Sequence, residues 1–181
     1  DFCLARGLGD VYKRQVYDRK RQSQNKERRG IMYIHVEPVN DKNREAVLAL
    51  KIHETQKGFV ESPEQCLKEA AEEKCWRPVG IYDGEQLVGF SMYGYFWQYL
   101  PFGRVWLDRL LIDRDYQGHG YGHIVLPMMI EKLRSEYHRK KIYLSVVEEN
   151  QGAIHLYEKF GFRFNGETDV HGEKVMVLKE T

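Results

Sequence analysis

The chain has 181 residues, 42% of them apolar and 30% charged, with a net charge of +1. That length supports one domain with its own core, and no apolar run approaches the roughly 18 residues that a membrane-spanning helix needs. The charge is uneven: residues 1–30 hold nine Lys/Arg against four Asp/Glu, while residues 31–181 hold 19 basic and 23 acidic side chains. A mildly acidic folded part suits a small cationic partner better than nucleic acid or a membrane, neither of which is expected.

The basic N-terminus lacks the apolar stretch of a signal peptide, so a soluble, cytoplasmic protein is expected. Cys3, Cys66 and Cys75 are odd in number and lack metal-ligand spacing, which reads as free thiols in a reducing compartment.

In chain order, residues 1–31 are polar, highly charged and without sustained apolar period, so disorder or an adventitious basic extension is expected there. The run RGLGDVYKRQVYDRKRQSQNKERRG also resembles translated adapter sequence. The folded domain is expected over residues 32–181, with Met32 a natural start. Residues 33–39 alternate and read as a strand, after which Asn40 can cap a helix carrying Val47, Leu48, Leu50 and Ile52. A second helix follows Pro63, with Cys66, Leu67 and Ala70 on one face. Residues 79–82 and 87–96 flank Asp83 and Gly84, a hairpin signal. Residues 104–112 form a fourth strand, followed by a glycine cluster and a helix with Leu126, Ile130, Leu133 and Tyr137 at helical spacing. Pro127 should kink that helix. Residues 142–147 read as a short strand and 150–160 as a helix, and two final strands flank His171 and Gly172. This is an α+β fold, a mixed sheet with helices on both faces, and it has no internal repeat.

Gln117, Gly118, His119, Gly120, Tyr121 and Gly122 lie between a strong strand and an amphipathic helix. Amides at such a helix start can bind an anion, and glycines let the backbone approach a pyrophosphate closely. The same glycines can equally make a tight turn with no ligand. No Gly-Lys-Ser/Thr follows, so this is not a P-loop, and G-x-G-x-G after a hairpin fits a dinucleotide fingerprint poorly. His119 and His123 are four apart, but Gly120 replaces the glutamate of H-E-x-x-H, so no metal is expected.

Further on, Asn150, Ala153, Leu156, Tyr157, Phe160, Gly161 and Phe162 spell N-x-x-A-x-x-L-Y-x-x-F-G-F. Asn150 and Tyr157 are two helical turns apart and share a face. Taken singly, they read as an N-cap, a core aromatic and a helix-ending glycine. Taken together, and about 30 residues after the glycine turn, they resemble the GNAT superfamily of acetyl-CoA-dependent N-acetyltransferases over residues 33–179. Gln117, Gly120 and Gly122 fill its Q/R-x-x-G-x-G/A pattern. The segments GRVWLDRLLID, YQGHGYG, IYLSV, NQGAIHLYEKFGF and GEKVMV are most similar to bacterial spermine/spermidine (diamine) acetyltransferases.

The resemblance implies a mostly antiparallel sheet of about seven strands, splayed between the fourth and fifth, with four helices on both faces. It implies acetyl-CoA as cosubstrate, its pantetheine arm on Leu110, Leu111 and Ile112 and its pyrophosphate on amides from Gly118 through Gly122, with Gln117 shaping the turn and Asn150 nearby. A bulge near Arg109 would aim an amide at the thioester carbonyl. Tyr157 would protonate the departing thiolate, and Asp108 would bind the amine or take its proton. Asp108 could instead be a strand carboxylate paired with Arg109. Glu61 would hold a distal ammonium; Glu148 and Glu149 could do likewise or be a solvated run. Tyr93, Tyr95, Phe96, Trp97 and Tyr99 could wall the amine site or belong to the sheet core. A homodimer is expected. Acetylation of another amine (a peptide N-terminus, lysine or an aminoglycoside) and non-catalytic acyl-CoA binding are the alternatives.

Overall fold

The computed structural model describes residues 32–179. The expectations for residues 1–31, Cys3 included, lie outside the described residues.

Seven strands form one sheet in the order β1-β2-β3-β4-β5-β7-β6. They are β1 (Ile34–Pro38), β2 (Trp76–Asp83), β3 (Gln86–Phe96), β4 (Arg104–Ile112), β5 (Lys141–Val146), β6 (Arg163–Thr168) and β7 (Lys174–Lys179). Every neighbouring pair is antiparallel except β4 and β5. Among the described residues four α-helices accompany them: α1 (Arg44–Leu48), α2 (Pro63–Glu72), α3 (Tyr121–Tyr137) and α4 (Gln151–Lys159). This is the expected α+β architecture. No helix among the described residues is long and apolar enough to cross a membrane.

The helices cover both faces of the sheet. Val47 of α1 and Cys66 and Leu67 of α2 bury against Phe90 and Met92 of β3. On the other face, Val125, Leu126, Met129, Ile130 and Leu133 of α3 pack against Val79, Ile81, Val88, Val105 and Leu107, with Ile154 of α4 in the same cluster. Val88 and Phe90 are two residues apart and would share a face in a regular strand, but the register with β2 shifts so that Ile81 faces Gly89 and Tyr82 faces Leu87, and Val88, the extra residue of that bulge, joins the other core. Ser62 caps α2 by accepting the Gln65 amide at 3.3 Å, and Pro63 occupies the first turn, where a missing N–H costs nothing. Helix α3 runs on through Pro127.

The first helix departs from expectation. The Asn40 side chain accepts the Lys42 amide at 2.9 Å, making a turn, and the helix starts only at Arg44. It stops at Leu48, leaving Leu50 and Ile52 outside. The reason is tertiary: the Lys51 amide donates to Asp113 Oδ2 at 2.8 Å, and the Lys51 carbonyl accepts the Arg114 amide at 2.7 Å. The segment is tied to the end of β4 instead of continuing its helix.

Two features of β4 govern the site. Its parallel ladder to β5 joins Val105 to Ile142 and Trp106 to Tyr143 and goes no further. The strands separate beyond that point. Its register with β3 shifts so that Met92 faces Arg109 and Tyr93 faces Leu107, leaving Asp108 as the extra residue of a bulge. The buried Ser91 hydroxyl donates to the Arg109 carbonyl at 2.7 Å and satisfies a group that the irregular ladder would otherwise strand.

Phe90 is 1% exposed and joins β3 to the α1–α2 layer. Phe90→Ala should lower unfolding free energy by about 3–5 kcal/mol, read by urea denaturation of the full chain.

Candidate active site

Where β4 leaves β5, a cleft of about 490 Å³ opens, lined by Leu110, Leu111 and Ile112, by Gln117, Gly118, Gly120, Tyr121 and Gly122, and by Asn150, Ala153 and Leu156. Gly118 and Gly120 have φ of +77° and +83°, and a Cβ at either would meet nothing within 4 Å. They are needed for backbone conformation, not for lack of room. Gly122 is different: a Cβ there would lie 3.1 Å from Leu156 Cδ2, so it brings α3 and α4 together.

The turn is held from three sides. Gln117 Nε2 donates to the Ile112 carbonyl at 2.8 Å and to Gln56 Oε1 at 2.9 Å. Asp113, buried at the end of β4, accepts the Asp115 and Lys51 amides. The Tyr121 hydroxyl donates to Asp83 Oδ2 at 2.9 Å, which ties the start of α3 to the β2–β3 turn. Tyr121 thus turns its side chain inward while its amide stays at the helix start. The first amides of α3 have no acceptor within the helix, so the cleft floor presents donors and a positive dipole end. His119, grouped with these residues in the sequence, does not line the cleft.

A second cavity of about 420 Å³ is lined by Glu61, Glu69, Glu72, Glu73, Asp108, Asp169 and Glu173, with Trp76, Phe96, Tyr99 and Trp106 as aromatic walls. Seven carboxylates face Arg109 and His171 there. Arg109 Nε lies 2.6 Å from Glu61 Oε2, Nη2 lies 3.8 Å from Glu69 Oε2, and Nη1 is paired with Asp108 Oδ2. Burial raises the Asp108 carboxyl to about 6; Arg109 opposes that rise, while Glu61 and Glu69 add to it. Burial likewise holds the Cys66 thiol up at about 12, hence neutral. The Trp106 indole N–H is buried without a hydrogen-bond partner.

Asn150 caps α4, its Oδ1 accepting the Ala153 amide at 3.3 Å, and also lines the cleft, so the cap and the cleft positions coincide in one residue. At the other end, the Phe162 amide donates to the Tyr157 carbonyl at 3.1 Å and the Gly161 amide to the Glu158 carbonyl at 3.0 Å, with Gly161 at φ +93°. This paired capping pattern fixes the last turn, and with it Tyr157, whose ring lies 5.9 Å from that of Phe162. Burial, then the Glu173 carboxylate, raises the Tyr157 phenol to about 12. The Tyr157 side chain is not among the lining residues of either cavity.

Asp108 and Glu61 are therefore brought together, and Leu110–Ile112, the glycine turn and Asn150 form a separate cleft beyond them on the same strand. Glu148 and Glu149 are exposed and line neither cavity. The aromatic series divides: Phe96 and Tyr99 reach the acidic cavity, Tyr93 turns into the α3 core, and Trp97 is 69% exposed. The rings of Tyr93, Tyr95 and Tyr99 already carry the chain's own cations, Lys132, Arg139 and Arg104. Glu69, Glu72, Glu73, Asp169 and Glu173 escaped the sequence reading because each looks like a solvated helix or turn charge. The i, i+3, i+4 spacing of Glu69, Glu72 and Glu73 was the available signal. Among the described residues, no group of three or more His, Cys, Asp or Glu side chains is arranged to hold a metal.

The model of the Acetyltransferase (GNAT) family matches residues 44–162. The chain belongs to that family. It is 48% identical over 149 residues to the Spermine/spermidine N(1)-acetyltransferase of Bacillus subtilis (strain 168), spanning 81% of this chain and 98% of that protein. Among solved structures it is similar to an aminoglycoside acetyltransferase in complex with coenzyme A (TM-score 0.69, 18% identity, 82% of this chain and 95% of that one). It is also similar to the Vibrio cholerae spermidine N-acetyltransferase in complex with CoA and spermine (TM-score 0.60, 18% identity, 80% and 92%). This GNAT chain is an acyltransferase with acetyl-CoA as its acetyl donor.

The glycine cleft fits such a donor, since it pairs an open strand edge with left-handed glycines that leave space at a helix start. An alanine at φ +83° costs about 1–2 kcal/mol. Gly120→Ala should therefore weaken acetyl-CoA binding roughly tenfold in calorimetry while leaving the melting temperature of the free protein within a few degrees.

Proposed function

We propose that the protein transfers the acetyl group of acetyl-CoA to a primary amine of a polyamine such as spermidine or spermine. The observation that carries this is the acidic cavity at the β4 bulge: seven carboxylates beside the point where the central strands part. A polyamine is a flexible chain of ammonium groups, and several fixed carboxylates at different distances recognise it better than they recognise a single charge. The name of the 48% identical B. subtilis relative supports the same substrate class.

In this reading, Leu110, Leu111 and Ile112 hold the pantetheine arm, and amides from Gly118 to Gly122 hold the pyrophosphate, with His119 contributing its backbone alone. When bound, acetyl-CoA supplies a thioester already activated for attack, so no covalent enzyme intermediate is required. Asp108, deprotonated above about 6, accepts a proton from the substrate ammonium and frees the nitrogen lone pair. That nitrogen bonds to the acyl carbon as the carbon–sulfur bond breaks. By the family resemblance Tyr157, which lines neither cavity in the free protein and is kept protonated by burial, donates its phenolic proton to the departing sulfur once acetyl-CoA is bound. The nitrogen gives up two protons in all and the sulfur takes one, so one proton is released to solvent. Glu61 and the other carboxylates hold the remaining ammonium groups. By the family resemblance the protein acts in the cytoplasm as a homodimer, which sedimentation can read.

A panel of amines assayed by release of free CoA tests this. Spermidine and spermine should turn over well ahead of a lysine peptide or an aminoglycoside; a protein that acetylates none of them, or prefers the aminoglycoside, would refute the reading. Tyr157→Phe should lower kcat about a hundredfold with little change in KM for acetyl-CoA. The pH dependence has a definite sign. Because Asp108 acts as its carboxylate, kcat/KM should fall as pH drops through about 6, and Asp108→Asn should remove that limb and depress kcat.

A further inference from the structure

One cation is built into the acidic cavity. Arg109 is 9% exposed, and its guanidinium is shared among carboxylates from three elements: Asp108 on its own strand, Glu61 in the segment before α2, and Glu69 on α2. The bulge at Asp108 is what turns both neighbours toward the cavity, since in a regular strand successive side chains would point to opposite faces. Glu72 and Glu73 share the helix face of Glu69 and also line the cavity, about 4.5 and 6 Å farther along the axis. They stand at the C-terminal end of α2, where the helix dipole already favours a cation.

We infer that Arg109 is a specificity-determining residue: a resident guanidinium that occupies the carboxylates beside the reacting position, so that an amine is bound through its distal ammonium at Glu72 and Glu73. This rests on the polyamine reading above and deepens it. Attack requires a neutral nitrogen, yet three uncompensated carboxylates would bind the reacting end as an ammonium and hold its proton. Arg109 offsets part of that field. It binds the charge that a distal ammonium cannot reach and leaves the carboxylates one turn along α2 for the rest of the substrate. The groups that face Asp108 are Arg109 beside it, Glu61 before α2, and the neutral Cys66 thiol and Glu69 on α2. Glu173, at the start of β7, faces Glu61 and Arg109.

The test is steady-state kinetics on the full chain with spermidine and with butylamine, from pH 5.5 to 9.5, for the wild type, Arg109→Met, Arg109→Lys and Glu61→Gln. Arg109→Met should shift the acid limb of kcat/KM upward by about one pH unit or more, because Asp108 loses its opposing charge. It should also lower KM, more for butylamine than for spermidine, while kcat at neutral pH falls about tenfold and recovers at high pH. Arg109→Lys should keep the limb near its original position. Glu61→Gln removes a like charge from Asp108 and should move the limb the other way, a readout that survives if Arg109→Met fails to fold. A raised KM with an unmoved limb in Arg109→Met, or an unmoved limb in Glu61→Gln, would overturn the inference. A wild type that turns over no polyamine refutes the substrate reading itself, which is a separate outcome.

Discussion

The separation of β4 from β5 after two residue pairs is the constraint on which the rest depends. A sheet interior normally leaves no backbone group unpaired, because burying one without a partner costs as much as losing a hydrogen bond. Here the parallel ladder stops at Trp106 and Tyr143, and the strand edge from there to Ile112 opens onto a cleft. An extended ligand can pair with such an edge as an added strand does. The fold tolerates the gap because both flanking strands remain tied on their other sides, β4 to β3 and β5 to β7.

The glycine turn and the bulge are the two irregularities that make this opening specific. At the far end of β4, Gln117, Asp113 and the Tyr121–Asp83 hydrogen bond hold the turn that leads into α3 along the cleft. In the middle of the strand, one extra residue places Asp108 and Arg109 side by side in the acidic cavity. A single strand thus borders the glycine turn at its end and the acidic cavity in its middle. The apolar run Leu110–Leu111–Ile112 lies between the two.

Burial is the second organising effect. It raises the Asp108 carboxyl into the range where a proton can be taken and returned near neutral pH, and it holds the Tyr157 phenol protonated. Arg109 limits the first of these effects. The buried guanidinium is costly to desolvate, and its three carboxylates are what offset that cost. The arrangement is more than a surface ion pair: removing Arg109 would leave three carboxylates facing one another in a confined space.

Much of the architecture was legible in the sequence because it depends on local chemistry. The aliphatic run over residues 104–112 marks β4 to the residue, Pro63 marks the start of α2, and the spacing from Asn150 to Gly161 marks α4 with both its caps. The glycines of the turn are identifiable for the same reason, since a left-handed φ is a property of a single residue. The first helix is shorter than its apolar spacing predicts because Asp113, more than 60 positions away, captures the Lys51 amide. The acidic cavity was only partly visible because Glu61, Glu69, Glu72, Glu73, Asp108, Asp169 and Glu173 come from four separate stretches of chain, each ordinary by itself. What the sequence alone determined is therefore whatever is set within a turn or two of backbone: the strands, the caps and the glycine-rich helix start. Which carboxylates meet, that Arg109 stands among them, and where the sheet parts were decided by tertiary packing, because charge and burial act through space and not along the chain.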